Sequence, residues 1–284
     1  MDAAITISNM FWLLLFVLLG ISEKLILLAP ASHGPVDDNS PQTHEGFDNV
    51  IFDESQRSRA RELITKCDLC ATKWLLVIAT GRSGSTTILN MLNILPHVNI
   101  MGEDKGQLKP FVTLSQDLNY TQSISKPYRH DAWYHFANDI HGVYCLAQKW
   151  LKSKYPVPND TMYFGFKEIR YNNVEDLDFI EKAFPCAHII LNTRQNVTAQ
   201  AQSAFQQGNE QSIYKHNQLL RTFYESQSRQ QKLWFTLEEF SLESFNSIIR
   251  WLELPERCEY NRVMVTNSNS SYSLDYDSTA VTCS

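Results

Sequence analysis

The chain is 284 residues long, enough for one α/β domain of ordinary size or at most two small ones. Apolar residues make up 43% and glycine adds 10 positions, which excludes a disordered chain, and no Gly-X-Y or heptad period runs through it. With 25 Lys and Arg against 31 Asp and Glu the net charge is −6, which speaks against a chain that coats nucleic acid and leaves room only for local basic sites.

Residues 11–21, FWLLLFVLLGI, form an uninterrupted apolar run that, with the milder stretch from Ala3, reaches Ser22 before Glu23-Lys24. About 20 residues of helix cover about 30 Å, the thickness of a bilayer core. Residues 1–29 therefore read as a signal peptide, with small residues at Gly20-X-Ser22 or Ala29-X-Ala31 for cleavage, or as an uncleaved signal-anchor. No Lys or Arg precedes the run and Lys24 follows it, a pattern that does not support a cytoplasmic N-terminus. Both readings send the chain into the secretory pathway. Residues 30–56 carry Pro30, Pro35 and Pro41 among polar residues and read as a stem. The folded domain is expected over 57–260, followed by a polar, partly loose tail over 261–284.

Six cysteines are too few for a disulfide scaffold of this length. Cys67-X-X-Cys70 would suit zinc or redox chemistry in a cytosolic protein, but no second CxxC completes a zinc site. In a luminal protein a structural disulfide is the simpler reading, and Cys283 is then a partner for Cys258. Sequons stand at Asn119, Asn159, Asn196 and Asn269.

Lys73–Thr80, KWLLVIAT, is a continuous apolar run of buried-strand length. GRSGSTT follows, then ILNMLNIL at helical spacing: a βα unit. A short strand is predicted at Val98–Met101. An amphipathic helix follows at Asp131–Lys152, with Trp133, Phe136, Ile140, Tyr144 and Trp150 near one side. Thr161–Tyr171 alternates like a strand, and Val174–Phe184 is a helix ended by Pro185. HIILNT at His188–Thr193 is another buried strand, followed by a helix over Val197–Phe205. A polar helix spans Gln211–Arg229, a strand Lys232–Thr236, and a helix Leu242–Leu252 closes before Pro255. Alternating strands and helices imply a three-layer α/β fold, a central parallel sheet with helices on both faces. Ligands of such sheets bind beyond the carboxyl ends of the strands.

The strongest chemical signal is Gly81-Arg82-Ser83-Gly84-Ser85-Thr86-Thr87, where the first strand turns into its helix. Glycines permit close backbone approach, and the helix N-terminus adds partial positive charge, together a cradle for phosphate. A nucleoside-triphosphatase loop needs lysine after its second glycine. Ser85 stands there, and no predicted strand ends in the acidic residue that would help hold magnesium. A P-loop kinase is the rival enzyme reading; a luminal protein that binds without turnover is a rival of another class.

ATGRSGSTTILNMLN resembles the P-R-S-G-T-T-L loop of the sulfotransferase superfamily, membrane-associated and Golgi branch. Three more segments share the resemblance. Met101-Gly102-Glu103-Asp104 is similar to the G-E-E element of protein-tyrosine sulfotransferases. HIILNTRQNVTAQAQSAF is similar to the segment that binds a 3′-phosphate, and LWFTLEEFSLESFNSIIRWLELP to a late strand and helix. The resemblance implies a P-loop-type sulfotransferase fold and PAPS (3′-phosphoadenosine 5′-phosphosulfate) as co-substrate, with no metal. Backbone amides and hydroxyls from Ser83 to Thr87 (Ser83, Gly84, Ser85, Thr86, Thr87) would cradle the 5′-phosphosulfate. Arg82 would stabilise the bridging oxygen and Arg194 the 3′-phosphate. The family's serine eight residues after that arginine falls here on Gln202, with Ser203 next to it and favoured for the contact.

Glu103 would act as general base, with Asp104 its rival and His97 a weaker candidate. Lys167 would offset charge on the transferred group, and Arg170 would touch an acidic acceptor. The implied partners are a glycan or protein acceptor and, through the N-terminal segment, the Golgi membrane, with no nucleic acid. A carbohydrate hydroxyl is the first acceptor reading and a protein tyrosine the second. Because Asn196 lies in the nucleotide segment, it is expected to carry no glycan.

Overall fold

The computed structural model describes residues 67–103, 105–124, 140–155, 157–203, 209–226, 231–264 and 278–284, all within the unit Glu62–Ser284. The expected N-terminal anchor or signal and the stem lie outside the described residues. Among those described, no helix is long and apolar enough to cross a membrane.

Strands β1 (Trp74–Ala79), β2 (Val98–Glu103), β3 (Tyr163–Glu168), β4 (His188–Thr193) and β5 (Gln231–Thr236) form one parallel sheet in the order β2-β3-β1-β4-β5. The helices are α1 (Ser85–Asn93), α2 (Lys109–Ile124), α3 (Ile140–Lys154), α4 (Val174–Ala183), α5 (Val197–Ala201), α6 (Glu210–Glu225) and α7 (Leu242–Leu252). The period-two alternation of β1 divides its side chains between two cores. Leu75 and Val77 pack with Ile88, Met91 and Leu92 of α1 and with Phe245, Ile248 and Leu252 of α7. Trp74, Leu76 and Ile78 pack on the other face with Phe111 of α2, Cys145 and Leu151 of α3, Phe179 and Ile180 of α4 and Leu220 of α6. The molecule is therefore the expected three-layer α/β sandwich, and a strand covered on both faces needs the unbroken apolar run that β1 shows.

Each fully buried Leu, Ile or Phe contributes about 1.5–3 kcal/mol relative to exposure. Polar ties then fix how the layers meet. The buried amide of Gln148 on α3 donates to Leu69 O (3.0 Å) and Ala183 O (2.7 Å). Asn173 caps α4 by accepting from Asp176 N at 2.7 Å, and Ser241 caps α7 by accepting from Ser244 N.

All six cysteines are paired: Cys67–Cys145, Cys70–Cys186 and Cys258–Cys283. The two cysteines of the CxxC motif thus cross-link outward, to α3 and to the segment before β4, rather than to each other. The grouping Cys67–His141–Cys145 is the one set of metal-type ligands among the described residues, and both of its sulfurs are in a disulfide.

The structure departs from the sequence reading in several places. Helix α2 was not expected; Pro110 in its first turn is compatible with a helix start. Of the predicted helix 131–152, Ile140–Lys154 is described, and Trp133 and Phe136 lie outside the described residues. Helix α5 stops at Ala201, well short of Phe205. Strand β2 runs on to Glu103, so that β2 and β3 both end in a carboxylate, against the expectation that no strand does. The end of the chain, read as a loose tail, returns to the domain: β6 (Cys258–Tyr260) pairs antiparallel with β7 (Val281–Cys283), with Ala280 fully buried.

Candidate active site

The chain leaves β1 for β2 and β3 on one side and crosses to β4 and β5 on the other. That reversal opens a crevice beyond the carboxyl end of β1, the usual ligand position in such sheets. A cavity of about 960 Å³ lies there, at the upper end of the 300–1,000 Å³ range of small-molecule sites. It is lined by Gly81, Arg82 and Gly84–Thr87 of the loop, by Glu103, Lys167, Arg170 and Arg194 from the strand ends, and by Lys215 and His216 of α6, among others.

The loop is held in a conformation few residues adopt. Arg82 (φ 62°) and Gly84 (φ 84°) both lie in the left-handed region. A Cβ at position 84 would stand 2.7 Å from Leu237 Cδ1 and 2.8 Å from Phe240 Cε2, so glycine is required there twice over. Gly84 starts α1 with no side-chain cap. The first-turn N–H groups of Ser85 and Thr86 therefore have no intrahelical acceptor, and they add to the positive end of the helix.

One sequence expectation is corrected here. The Ser83 hydroxyl does not face the cavity; it is buried and lies 2.6 Å from Thr80 O and 2.5 Å from Asn192 Oδ1. Asn192 in turn donates to Phe235 O at 2.9 Å. The amide thus anchors the loop to β4 and β5 and draws the serine inward. Gln200 of α5 adds a second anchor, its buried Nε2 donating to Thr80 Oγ1 (3.0 Å) and Gly81 O (2.5 Å).

Four charged groups meet at the ends of β2 and β3. Lys167 Nζ donates to Glu103 Oε1 at 2.8 Å, and Arg170 Nη1 reaches both Glu103 Oε2 (3.0 Å) and Glu168 Oε1 (2.9 Å). Lys167 is 4% exposed and Glu168 fully buried. Glu168 also accepts from Gly106 N, Ile169 N and Arg170 N. Burial opposes the charge of Arg170, but Glu168 and Glu103 outweigh it and raise its pKa further. The juxtaposition depends on a register shift. Met101 pairs with Phe166 but Glu103 with Lys167, so Gly102 is an extra residue in β2. Asp104, the rival base, lies outside the described residues.

Arg194 follows β4 and lines the cavity, and its buried Nε has no hydrogen-bond partner. Buried donors are seldom left so, and this one borders an anion-shaped cradle. Nearby, Glu238 accepts from Gln195 N (2.9 Å) and Asn196 N (3.1 Å). Burial pushes the Glu238 carboxyl up, but these N–H groups, its own backbone N–H and the charge of Arg194 together hold its pKa below the usual carboxylate value. Asn196 caps α5, its Oδ1 accepting from Ala199 N at 2.9 Å.

Ser203 Oγ accepts from Arg82 Nε at 2.9 Å, which ties it to the loop arginine rather than to the lining beside Arg194. Gln202 is exposed at the end of α5. His97 sits elsewhere: at the start of β2, the opposite end of the sheet, it contacts Asp160 O and Glu256 Oε1, both at 2.7 Å.

The sequence reading singled out neither Asn192, Gln200 nor His216. A polar residue within the apolar strand HIILNT was the available signal for Asn192. Nothing local marked the other two, because their partners are 120 and 45 residues away.

A model of the sulfotransferase family matches residues 75–246, which run from β1 into α7 and include the whole loop and all five strands of the sheet but its first residue. No curated protein matches the chain.

Proposed function

Since the chain belongs to the sulfotransferase family, we propose that it moves the sulfuryl group of PAPS to a hydroxyl of a luminal acceptor, a carbohydrate in the first reading. The observation that carries this is the meeting of two anion sites in one cavity: the uncapped amides of Ser85 and Thr86 beside Arg82, and the unpartnered buried Nε of Arg194. PAPS has an anion at each end of its ribose, and the two sites suit both. When bound, PAPS supplies the sulfuryl group and leaves as PAP (3′,5′-ADP).

The amides of the loop and the start of α1 hold the 5′ end. Arg82, fixed by Ser203, offsets charge on the bridging oxygen, and Arg194 holds the 3′-phosphate through a planar fork suited to two parallel hydrogen bonds. Lys167 offsets charge on the sulfonate oxygens. Glu103, the base that the resemblance implies, orients Lys167 and Arg170 through its two oxygens. Luminal placement is supported by the apolar N-terminal run and by the pairing of all six cysteines, which reducing compartments disfavour. The kinase reading loses support from the strand ends, since Glu103 and Glu168 are both engaged with cations.

The test is incubation of the purified protein with sulfur-labelled PAPS and a panel of desulfated glycans and tyrosine peptides, alongside calorimetric titration with PAP. Binding of PAP and label transfer to a glycan are expected. A chain that ignores PAP but binds magnesium-ATP would overturn the reading.

A further inference from the structure

Transfer to a hydroxyl releases a proton, and the cavity wall holds a second group able to accept one besides Glu103. His216 lies on α6 and lines the cavity. Its Nε2 is 3.1 Å from Tyr171 O. A carbonyl can only accept, so the ring proton resides on Nε2 and the lone pair on Nδ1. Among the described residues the ring's hydrogen bond runs through Nε2. The lone pair thus belongs to a residue of the cavity wall. Asn217, the next residue, donates to Arg194 O at 3.3 Å and pins this part of α6 over the end of β4, while the Tyr171 contact pins it to the segment after β3. This turn of α6 thus touches the segments that follow both β3 and β4.

Resting on the sulfotransfer reading above, we propose that His216 is the general base for the acceptor hydroxyl. Glu103 serves as the positioning residue that holds Lys167 and Arg170. In the step, the acceptor oxygen forms its bond to sulfur while its proton passes to His216 Nδ1. The bond between sulfur and the bridging oxygen breaks, and its electron pair stays on the 5′-phosphate of PAP. The imidazolium, with Nε2–H still on Tyr171 O, then releases its proton to solvent.

Burial lowers the pKa of His216 from 6.5, more than the Tyr171 carbonyl raises it. The charged groups lining the same cavity are Arg82 of the loop, Glu103 from β2, Lys167 and Arg170 from β3, Arg194 from β4 and Lys215 on α6 itself. Five of these six are cations, and cations also disfavour a protonated ring. The imidazole is thus neutral, and ready to accept, at neutral pH.

The test substitution is His216→Gln, whose side-chain amide can still donate to Tyr171 O but has no basic nitrogen. Three readouts are taken on the full chain: PAP affinity by calorimetry, thermal unfolding, and pH profiles of label transfer from PAPS to the glycan and tyrosine-peptide panel. The imidazole is also titrated by NMR. Turnover is expected to fall about 10²–10⁴-fold, with PAP affinity and unfolding temperature unchanged. The wild-type rate should fall on the acid side with the same midpoint, below pH 6.5, that NMR finds for His216, and the variant should lack that limb. A variant that turns over like wild type, or that loses rate only in proportion to PAP affinity, overturns the proposal and leaves the sulfotransfer reading intact. Binding of PAP without turnover on any acceptor also overturns it. Failure of wild type to bind PAP removes the sulfotransfer reading and this proposal together.

Discussion

Arg194→Ala separates a ligand-binding arginine from a structural one. A structural arginine would be held by hydrogen bonds that its loss leaves open, at about 1–3 kcal/mol for each buried group orphaned. Arg194 Nε has no such bond. What the substitution removes from the free protein is the packing of the side-chain stem and a favourable charge near Glu238, so the unfolding free energy should change by no more than about 1 kcal/mol. Binding is different. A hydrogen bond between a guanidinium and phosphate contributes about 1.5–3 kcal/mol, so losing one weakens PAP about 10- to 200-fold, and losing a bidentate pair weakens it more. The control is 5′-AMP, which lacks the 3′-phosphate. Calorimetric titration of wild type should show a clear preference for PAP over 5′-AMP, and Arg194→Ala should bind the two alike. Arg194→Lys, which keeps the charge and loses the fork, should fall between. If Arg194→Ala keeps the wild-type preference for PAP, the guanidinium does not touch the 3′-phosphate, and the orientation of the nucleotide argued here is wrong.

Gly84→Ala places a Cβ against Leu237 and Phe240 in a left-handed backbone, a conformation that costs a non-glycine residue about 1–2 kcal/mol. Unfolding temperature should drop, and PAP affinity should drop further than stability does, because the same backbone carries the cradle; equal binding at reduced stability would count against the cradle. His97 offers a pH-dependent prediction away from the site. Its hydrogen bonds to Glu256 and to the Asp160 carbonyl raise its pKa in the folded protein. The stabilisation is therefore fully present below the unfolded value of about 6.5 and is lost as pH rises through the higher folded value. Unfolding temperatures of wild type and His97→Gln should differ most at pH 5–6 and converge above neutrality; a gap that widens with pH would show that the sign is wrong.

Much of the fold was legible because the relevant signals are local. WLLVIA and HIILNT are buried strands on inspection, and Phe245, Ile248, Ile249 and Leu252 give α7 an unmistakable stripe. Helix α2 was not legible. Its apolar side rests on Phe111, Val112 and a partly buried Leu114 and Leu118, set among polar residues that blur any period. Within the site, most of the loop and Arg194 line one cavity, and their nearness was legible because position relative to a strand end is itself a local property. Roles that depend on partners distant in sequence were not. Ser83 lies in the loop motif like its neighbours, and its hydroxyl is held away from the cavity by Thr80 O and by the amide of Asn192, 109 residues on. The contact of Ser203 with Arg82, across 121 residues, was likewise invisible to a reading that weighed it against Gln202 by spacing alone.

The extra residue at Gly102 shows how such a distant constraint shapes the chemistry. In unbroken register, Met101 opposite Phe166 would be followed by Gly102 opposite Lys167 and Glu103 opposite Glu168. Two carboxylates would then face each other at the floor of the site, one of them fully buried, an arrangement that like-charge repulsion disfavours. The bulge advances β2 by one residue, so that Glu103 meets Lys167 instead. A Cβ at position 102 would meet nothing within 4 Å, so the bulge does not depend on glycine there for want of space. Glu168 is then left to collect the backbone of Ile169 and Arg170 and the guanidinium of Arg170. Both carboxylates thereby hold cations at the cavity wall. This is how a chain of net charge −6 comes to line this crevice with five cationic side chains against one carboxylate, a local field of the sign that suits an anionic ligand.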